Sequence, residues 1–119
     1  MSGLRISKRQ LDNDIMLIKA SGFLDAHTFE EMENEIEELF RQQVYKLIIR
    51  LDELDYISSA GAGVFIGAIG TATANGGNIV LLSPSPNVKE VFDLLGLSQI
   101  FPIVFQENEA VSYFNSNKT

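Results

Sequence analysis

A short apolar run that leads into a glycine-rich helical stretch constrains this chain more than any other segment. It spans Lys46 to Gly70, KLIIRLDELDYISSAGAGVFIGAIG. Leu47-Ile48-Ile49 and Leu51 are too few for a helix and lack the alternation of a strand with one wet face. They predict a strand buried on both faces, as in a parallel sheet. The polar Asp52-Glu53-Leu54-Asp55 predicts a turn. Tyr56, Ile57, Ser58 and Ser59 follow, and then small and apolar residues among which Val64, Phe65, Ala68, Ile69 and Ala72 recur at helical spacing. The serines stand where helix N-caps stand. The expectation is a strand, a loop and two hydroxyls at the mouth of a helix whose first N–H groups lack intrahelical partners.

Upstream, Leu4 to Gln10 alternates as a half-buried strand, Asp12-Asn13-Asp14 is a turn signal, and Ile15 to Ala20 is a more apolar strand, which together predict an antiparallel hairpin. Ser21-Gly22 predicts the end of that strand. A helix then follows Gly22-Phe23-Leu24-Asp25, with Asp25 or Thr28 as its cap and Phe29, Met32, Ile36, Leu39 and Phe40 as its buried stripe. Its other face carries seven acidic residues against one arginine between Asp25 and Gln43. That face reads either as a solvated surface or as a docking face for a basic partner.

Downstream, Asn75-Gly76-Gly77-Asn78 predicts the end of the central helix, and Ile79 to Leu82 another buried strand. Asn87 is the expected cap of a short helix whose stripe is Val88, Val91, Phe92 and Leu95 and which Gly96 closes. Phe101 to Phe105 predicts a last strand at an edge, and Asn108 to Phe114 a final helical turn or two. One domain over residues 1–119 is expected, with 115–119 as a fraying tail. The element order ββαβαβαβα predicts a mixed sheet of four to five strands covered by about four helices.

Most reactive chemistry is excluded by composition. Cysteine is absent, so there is no disulfide, thiolate ligand or thiol nucleophile. The only histidine, His27, sits at a helix start beside Asp25, and G-x-S-x-G does not occur, which removes a serine hydrolase. Gly61, Gly63 and Gly67 do follow a strand, but their spacing is that of neither a dinucleotide loop nor a Walker loop. Close packing of helix on sheet is the simpler reading of them, with a small nucleotide-binding module as a weaker one. Asp52, Glu53 and Asp55 cluster as turn carboxylates, with no metal implied. A net charge of −7 argues against nucleic acid and anionic lipid. No apolar run approaches the roughly 18–20 residues of a membrane span and no signal-peptide pattern opens the chain, so a cytoplasmic location is the default.

Leu51-Asp52 followed by Asp55-Tyr56-Ile57-Ser58-Ser59-Ala60-Gly61 resembles the signature of the STAS domain, typified by bacterial anti-sigma-factor antagonists. Gly22-Phe23-Leu24-Asp25, Gly76-Gly77-Asn78-Ile79-Val80-Leu81 and Val91-Phe92-Asp93-Leu94-Leu95-Gly96-Leu97 with Ile100-Phe101 match at the expected spacing. The resemblance implies a protein that is not an enzyme and needs no cofactor. Its implied partner is an anti-sigma factor that is also a serine kinase of the histidine-kinase-like ATPase fold, with a PP2C-type phosphatase reversing the modification. It further implies phosphorylation on Ser59, with Ser58 as the rival, and a partner-binding set of Asp25, Tyr56, Ile57, Ser58, Ser59, Ala60 and Gly61. Where many members read Asp-Ser-Ser/Thr-Gly, this chain reads Ser58-Ser59-Ala60-Gly61. The competing expectation is a STAS adaptor subunit in a signalling or lipid-transport complex that is never phosphorylated.

Overall fold

The computed structural model describes residues 3–12 and 14–116. Strands β1 (Leu4–Gln10), β2 (Ile15–Leu24), β3 (Lys46–Ile57), β4 (Asn78–Leu82) and β5 (Ile103–Val104) form one sheet in the order β1-β2-β3-β4-β5. The first pair is antiparallel and the other three are parallel. Helices α1 (Phe29–Arg41), α2 (Ser59–Ala74), α3 (Pro86–Leu94) and α4 (Glu107–Ser116) connect and follow the parallel strands. The expected order and mixed sheet are therefore present. Asn13, the centre of the expected hairpin turn, and 117–119 of the expected tail lie outside the described residues. Asn115 and Ser116, also expected to fray, continue α4.

Each face of the sheet has its own core. Met32, Ile36 and Leu39 of α1, Val64 and Phe65 of α2, and Val88 and Phe92 of α3 pack on one face against Leu47, Ile49 and Leu81. Ala110 and Phe114 of α4 cover Ile15, Leu17, Ile48, Val80 and Leu82 on the other. Alternate residues of β3 and β4 thus serve opposite cores, which is why both strands read as unbroken apolar runs.

The largest correction concerns β2 and β3, each of which runs past its expected end. Asp52-Glu53-Leu54-Asp55 is strand rather than turn, and Ser21-Gly22 continues β2. The pairing slips twice, from Lys19↔Arg50 to Ser21↔Glu53 and from Gly22↔Leu54 to Phe23↔Tyr56, each slip adding a residue on β3. Bulges of this kind replace the two-residue alternation by steps of three, so Leu51, Leu54 and Ile57 are buried while the polar residues between them face out. Gly22 holds a positive φ of 93° where β1 crosses it, and a Cβ there would lie 2.1 Å from the Gly3 carbonyl oxygen.

Three smaller expectations also change. Ser85, not Asn87, precedes α3. Its hydroxyl donates to the Leu54 carbonyl at 2.6 Å while Pro86 opens the helix with a preset φ. The last strand shrinks to Ile103–Val104, because Leu97–Gln99 forms a turn of 3-10 helix and Pro102 offers β4 only its carbonyl, to Leu81 N–H. The packing role expected for three glycines holds only at Gly61. Gly63 and Gly67 are exposed, and an added Cβ at either would meet nothing within 4 Å.

That openness makes a stability prediction. Glycine in a helix interior costs about 0.5–1 kcal/mol relative to alanine, and neither site has a steric need for it. Gly63→Ala or Gly67→Ala should raise the unfolding free energy by that amount and move the urea midpoint up with it; a lower midpoint would reveal a steric demand that the structure lacks.

Candidate functional site

The C-terminal ends of the parallel strands β2 and β3 and the N-terminus of α2 converge at one end of the sheet, the rim where open α/β sheets present their binding sites. The junction hangs on Leu24. Its carbonyl accepts the Ser58 N–H at 3.0 Å, tying α2 to the end of β2. A Cβ on Gly61 would stand 2.4 Å from that same oxygen. Glycine three residues into the turn is thus what lets the helix start sit directly on the neighbouring strand.

The two serines do different work there. Ser58 is the N-cap, half-buried, with its hydroxyl oxygen accepting the Gly61 N–H at 3.2 Å and its carbonyl accepting the Ala62 N–H at 2.9 Å. Ser59 is the first helical residue and is exposed. Its own N–H and that of Ala60 precede the first intrahelical bond, so the helix start offers two amides and the positive end of a sixteen-residue dipole beside a solvent-facing hydroxyl.

Asp25 follows Leu24 and shapes the corner instead of capping α1 with its side chain. Its carboxylate accepts the His27 N–H at 2.9 Å, and its carbonyl accepts the N–H groups of Thr28 and Phe29 at 3.2 and 2.9 Å. Thr28 marks the α1 boundary, but its hydroxyl turns inward, donating to the Phe23 carbonyl at 2.9 Å and accepting the Asp25 N–H at 3.0 Å. Tyr56 is 48% exposed beside the serines, whereas Ile57 is 1% exposed and belongs to the core. Gly61 is likewise buried, and Ala60 is exposed. Of the seven residues expected to meet a partner, then, Tyr56, Ser59 and Ala60 face solvent, Asp25 and Ser58 are half-buried, and Ile57 and Gly61 support them from within.

Phe23 was not among those residues, yet it pairs in register with Tyr56 across β2 and β3 and is equally exposed, at 48%. Two half-exposed aromatics in neighbouring strands form an apolar rim next to Ser59, the kind of surface enriched in protein interfaces. The signal available in the sequence was an aromatic between Gly22 and the buried Leu24. Its exposure depends on the two register slips, which no local pattern announces.

Farther from this rim, Arg50 clamps Asp52 with bonds of 2.9 Å from Nε and 3.2 Å from Nη2, and Lys19 reaches Glu53 at 3.0 Å. These two carboxylates are thus paired on the outside of β3. Among the described residues no group of three or more acidic, histidine or cysteine side chains converges to hold a metal, and no helix is long and apolar enough to cross a membrane. The Arg50 hydrogen bond holds the Asp52 carboxyl below its ordinary 3.8. A depressed folded value gives stability that is fully present above 3.8 and lost as pH falls through the folded value. The pair is partly solvated and screened, so Asp52→Asn should cost only about 0.2–1 kcal/mol at neutral pH. Denaturation curves of the two proteins should converge in acid; a gap that persists there would assign the loss to packing.

The sequence profile of the STAS domain matches residues 6–110. The chain belongs to the STAS domain family. Among curated STAS proteins it is similar to the anti-sigma-B factor antagonist of Listeria monocytogenes, 30% identical over 106 residues that cover 89% of this chain and 93% of that one. Among solved STAS structures it superposes on the anti-sigma factor antagonist SpoIIAA in its unphosphorylated form. There the TM-score is 0.82 at 26% identity, covering 97% of this chain and all of that one. It also matches Bacillus SpoIIAA in the phosphorylated form, with a TM-score of 0.72 at 25% identity over 92% of this chain and 98% of that one. The phosphorylated relative shows that a STAS fold of this kind accommodates a phosphate.

Proposed function

We propose that this STAS protein is an anti-sigma-factor antagonist. In this reading it binds an anti-sigma factor through the rim formed by Phe23, Tyr56, Ser59 and Ala60, and phosphorylation of Ser59 releases it. The observation that carries the reading is the division of labour between the serines. The Ser58 hydroxyl is engaged as the cap, while Ser59 is exposed beside two amides that precede the first intrahelical bond. A kinase can reach Ser59 without dismantling the helix start, and the product, with about −1.5 to −2 charges, meets the positive end of the α2 dipole. The names of the relatives, and the phosphorylated state of one, support the same assignment.

The protein acts by binding and is not itself an enzyme. Its kinase is the anti-sigma factor, of the histidine-kinase-like ATPase fold, and a PP2C-type phosphatase restores the binding form. All of these act in the cytoplasm, where sigma factors are controlled. The test is calorimetry between this protein and the anti-sigma kinase of the same genome, followed by the same titration after incubation with ATP. Binding that ATP abolishes, with one phosphate gained on Ser59, supports the reading. Equal binding before and after phosphorylation refutes the switch, and no binding at all refutes the antagonist.

A further inference from the structure

A groove of about 230 Å³ runs between α1 and α2, away from the serine rim. Phe40 of α1 is its partly exposed apolar edge, and Ile36, Val64 and Ala68, which belong to the core beneath, form its floor. On the α1 side stand Glu33 and Glu37, one helical turn apart, and on the α2 side Gly67 leaves the wall low. Gly67 lies eight residues beyond Ser59, about 12 Å along the axis at 1.5 Å per residue.

We propose that this groove is a second docking site, which takes a basic amphipathic helix of a protein partner. The charge pattern selects the occupant. α1 carries six glutamates against one arginine, and α2 carries no charged residue at all. Lys8 pairs with Glu35 at 2.7 Å and Arg41 with Glu38 at 3.3 Å, which draws both cations to other carboxylates. Glu33 and Glu37 make no ion pair among the described residues, so the rim stays negative beside an apolar surface. Their four-residue spacing matches lysines or arginines at i and i+4 on an incoming helix, whose apolar side chains would enter between. The apolar surface argues against a bare polyamine, and the acidic rim repels nucleic acid and anionic lipid. Gly63 and Gly70 flank Gly67 on the outer side of α2 and keep that side low, where a partner backbone can approach closely. Because the groove lies outside the serine rim, the inference stands apart from the phosphorylation reading.

The test titrates the isotope-labelled full chain with a synthetic amphipathic helix bearing leucines at i, i+3 and i+7 and flanking lysines. A matched peptide with glutamates in place of the lysines serves as control. The lysine peptide should shift the amides of Ile36, Phe40, Gly67 and Ala68, and the control should not. Gly67→Leu, which fills the low wall, and the double variant Glu33→Lys with Glu37→Lys should each weaken binding about tenfold or more with the spectrum still dispersed. Ser59→Asp should leave the affinity within about twofold, which separates this site from the serine rim. Shifts centred on Ser58 to Ala60, equal response to both peptides, or no shift at about 1 mM peptide would overturn the proposal. Groove amides that move on raising the protein concentration alone would give the groove to a second copy, and would overturn it too.

Discussion

Phosphorylated on Ser59, the protein should bind its anti-sigma factor at least about a hundredfold more weakly than the unmodified form, with its melting temperature unchanged or slightly raised. The two halves of this result come from one geometry. Within the free protein the phosphate lies at the first position of a long helix, where a negative charge is worth about 0.3–1 kcal/mol of stabilisation. In the proposed complex the same charge would be pressed against a partner surface beside Phe23 and Tyr56. A charge buried there without a partner costs about 3–5 kcal/mol, and 1.4 kcal/mol is already tenfold in affinity. Ser59→Ala should bind as the unmodified protein does and should no longer respond to ATP. Ser58→Ala is the instructive contrast. It removes the bond to Gly61 N–H and should lower stability by about 0.5–2 kcal/mol, while phosphorylation at Ser59 persists. Calorimetry and thermal denaturation on the same four proteins separate these outcomes. A phosphorylated form that unfolds would mean that the modification acts on the fold and not on the interface.

The second large effect is structural. Phe65→Ala should cost about 3–5 kcal/mol, a large fraction of the roughly 5–15 kcal/mol that holds a domain of this size together. Phe65 is fully buried on the inner side of α2, in the core shared with α1, α3 and the sheet. Truncation there leaves a cavity that rigid strands on one side and a helix on the other cannot close. Its neighbour Ile66 is 45% exposed, so Ile66→Ala should cost less than about 1 kcal/mol. Urea denaturation of the two variants checks the difference. Similar losses at both positions would mean that α2 faces the sheet differently.

These residues also show what the sequence makes legible. The α2 segment was readable because its cap, its buried stripe and the apolar first half of the strand before it each obey a local rule, and Ser58 and Ser59 stand where those rules put them. The long ends of β2 and β3 were not readable, because two bulges turn the alternation into steps of three, and Asp52-Glu53-Leu54-Asp55 then reads as a turn. Phe23 was missed as a consequence, since its exposure depends on which strand it pairs with and in which register. Ser85 and Asn87 are both plausible caps by type. The choice fell to Ser85 because its hydroxyl has a tertiary acceptor, the carbonyl of Leu54, more than thirty residues away. The glycines of α2 divide for the same reason. Only contact with Leu24 distinguishes Gly61 from Gly63 and Gly67, and that contact lies outside any local window.

The most direct test of partner switching is phosphosite mapping of the protein isolated from its own host, with fragment ions that separate Ser58 from Ser59. Partner switching predicts a phosphate on Ser59 that rises and falls with growth conditions, and none on Ser58. A phosphate confined to Ser58 would contradict the Ser59 site and move the switch to the cap. A well-detected peptide never modified under any condition would contradict partner switching and leave an adaptor that binds without a switch.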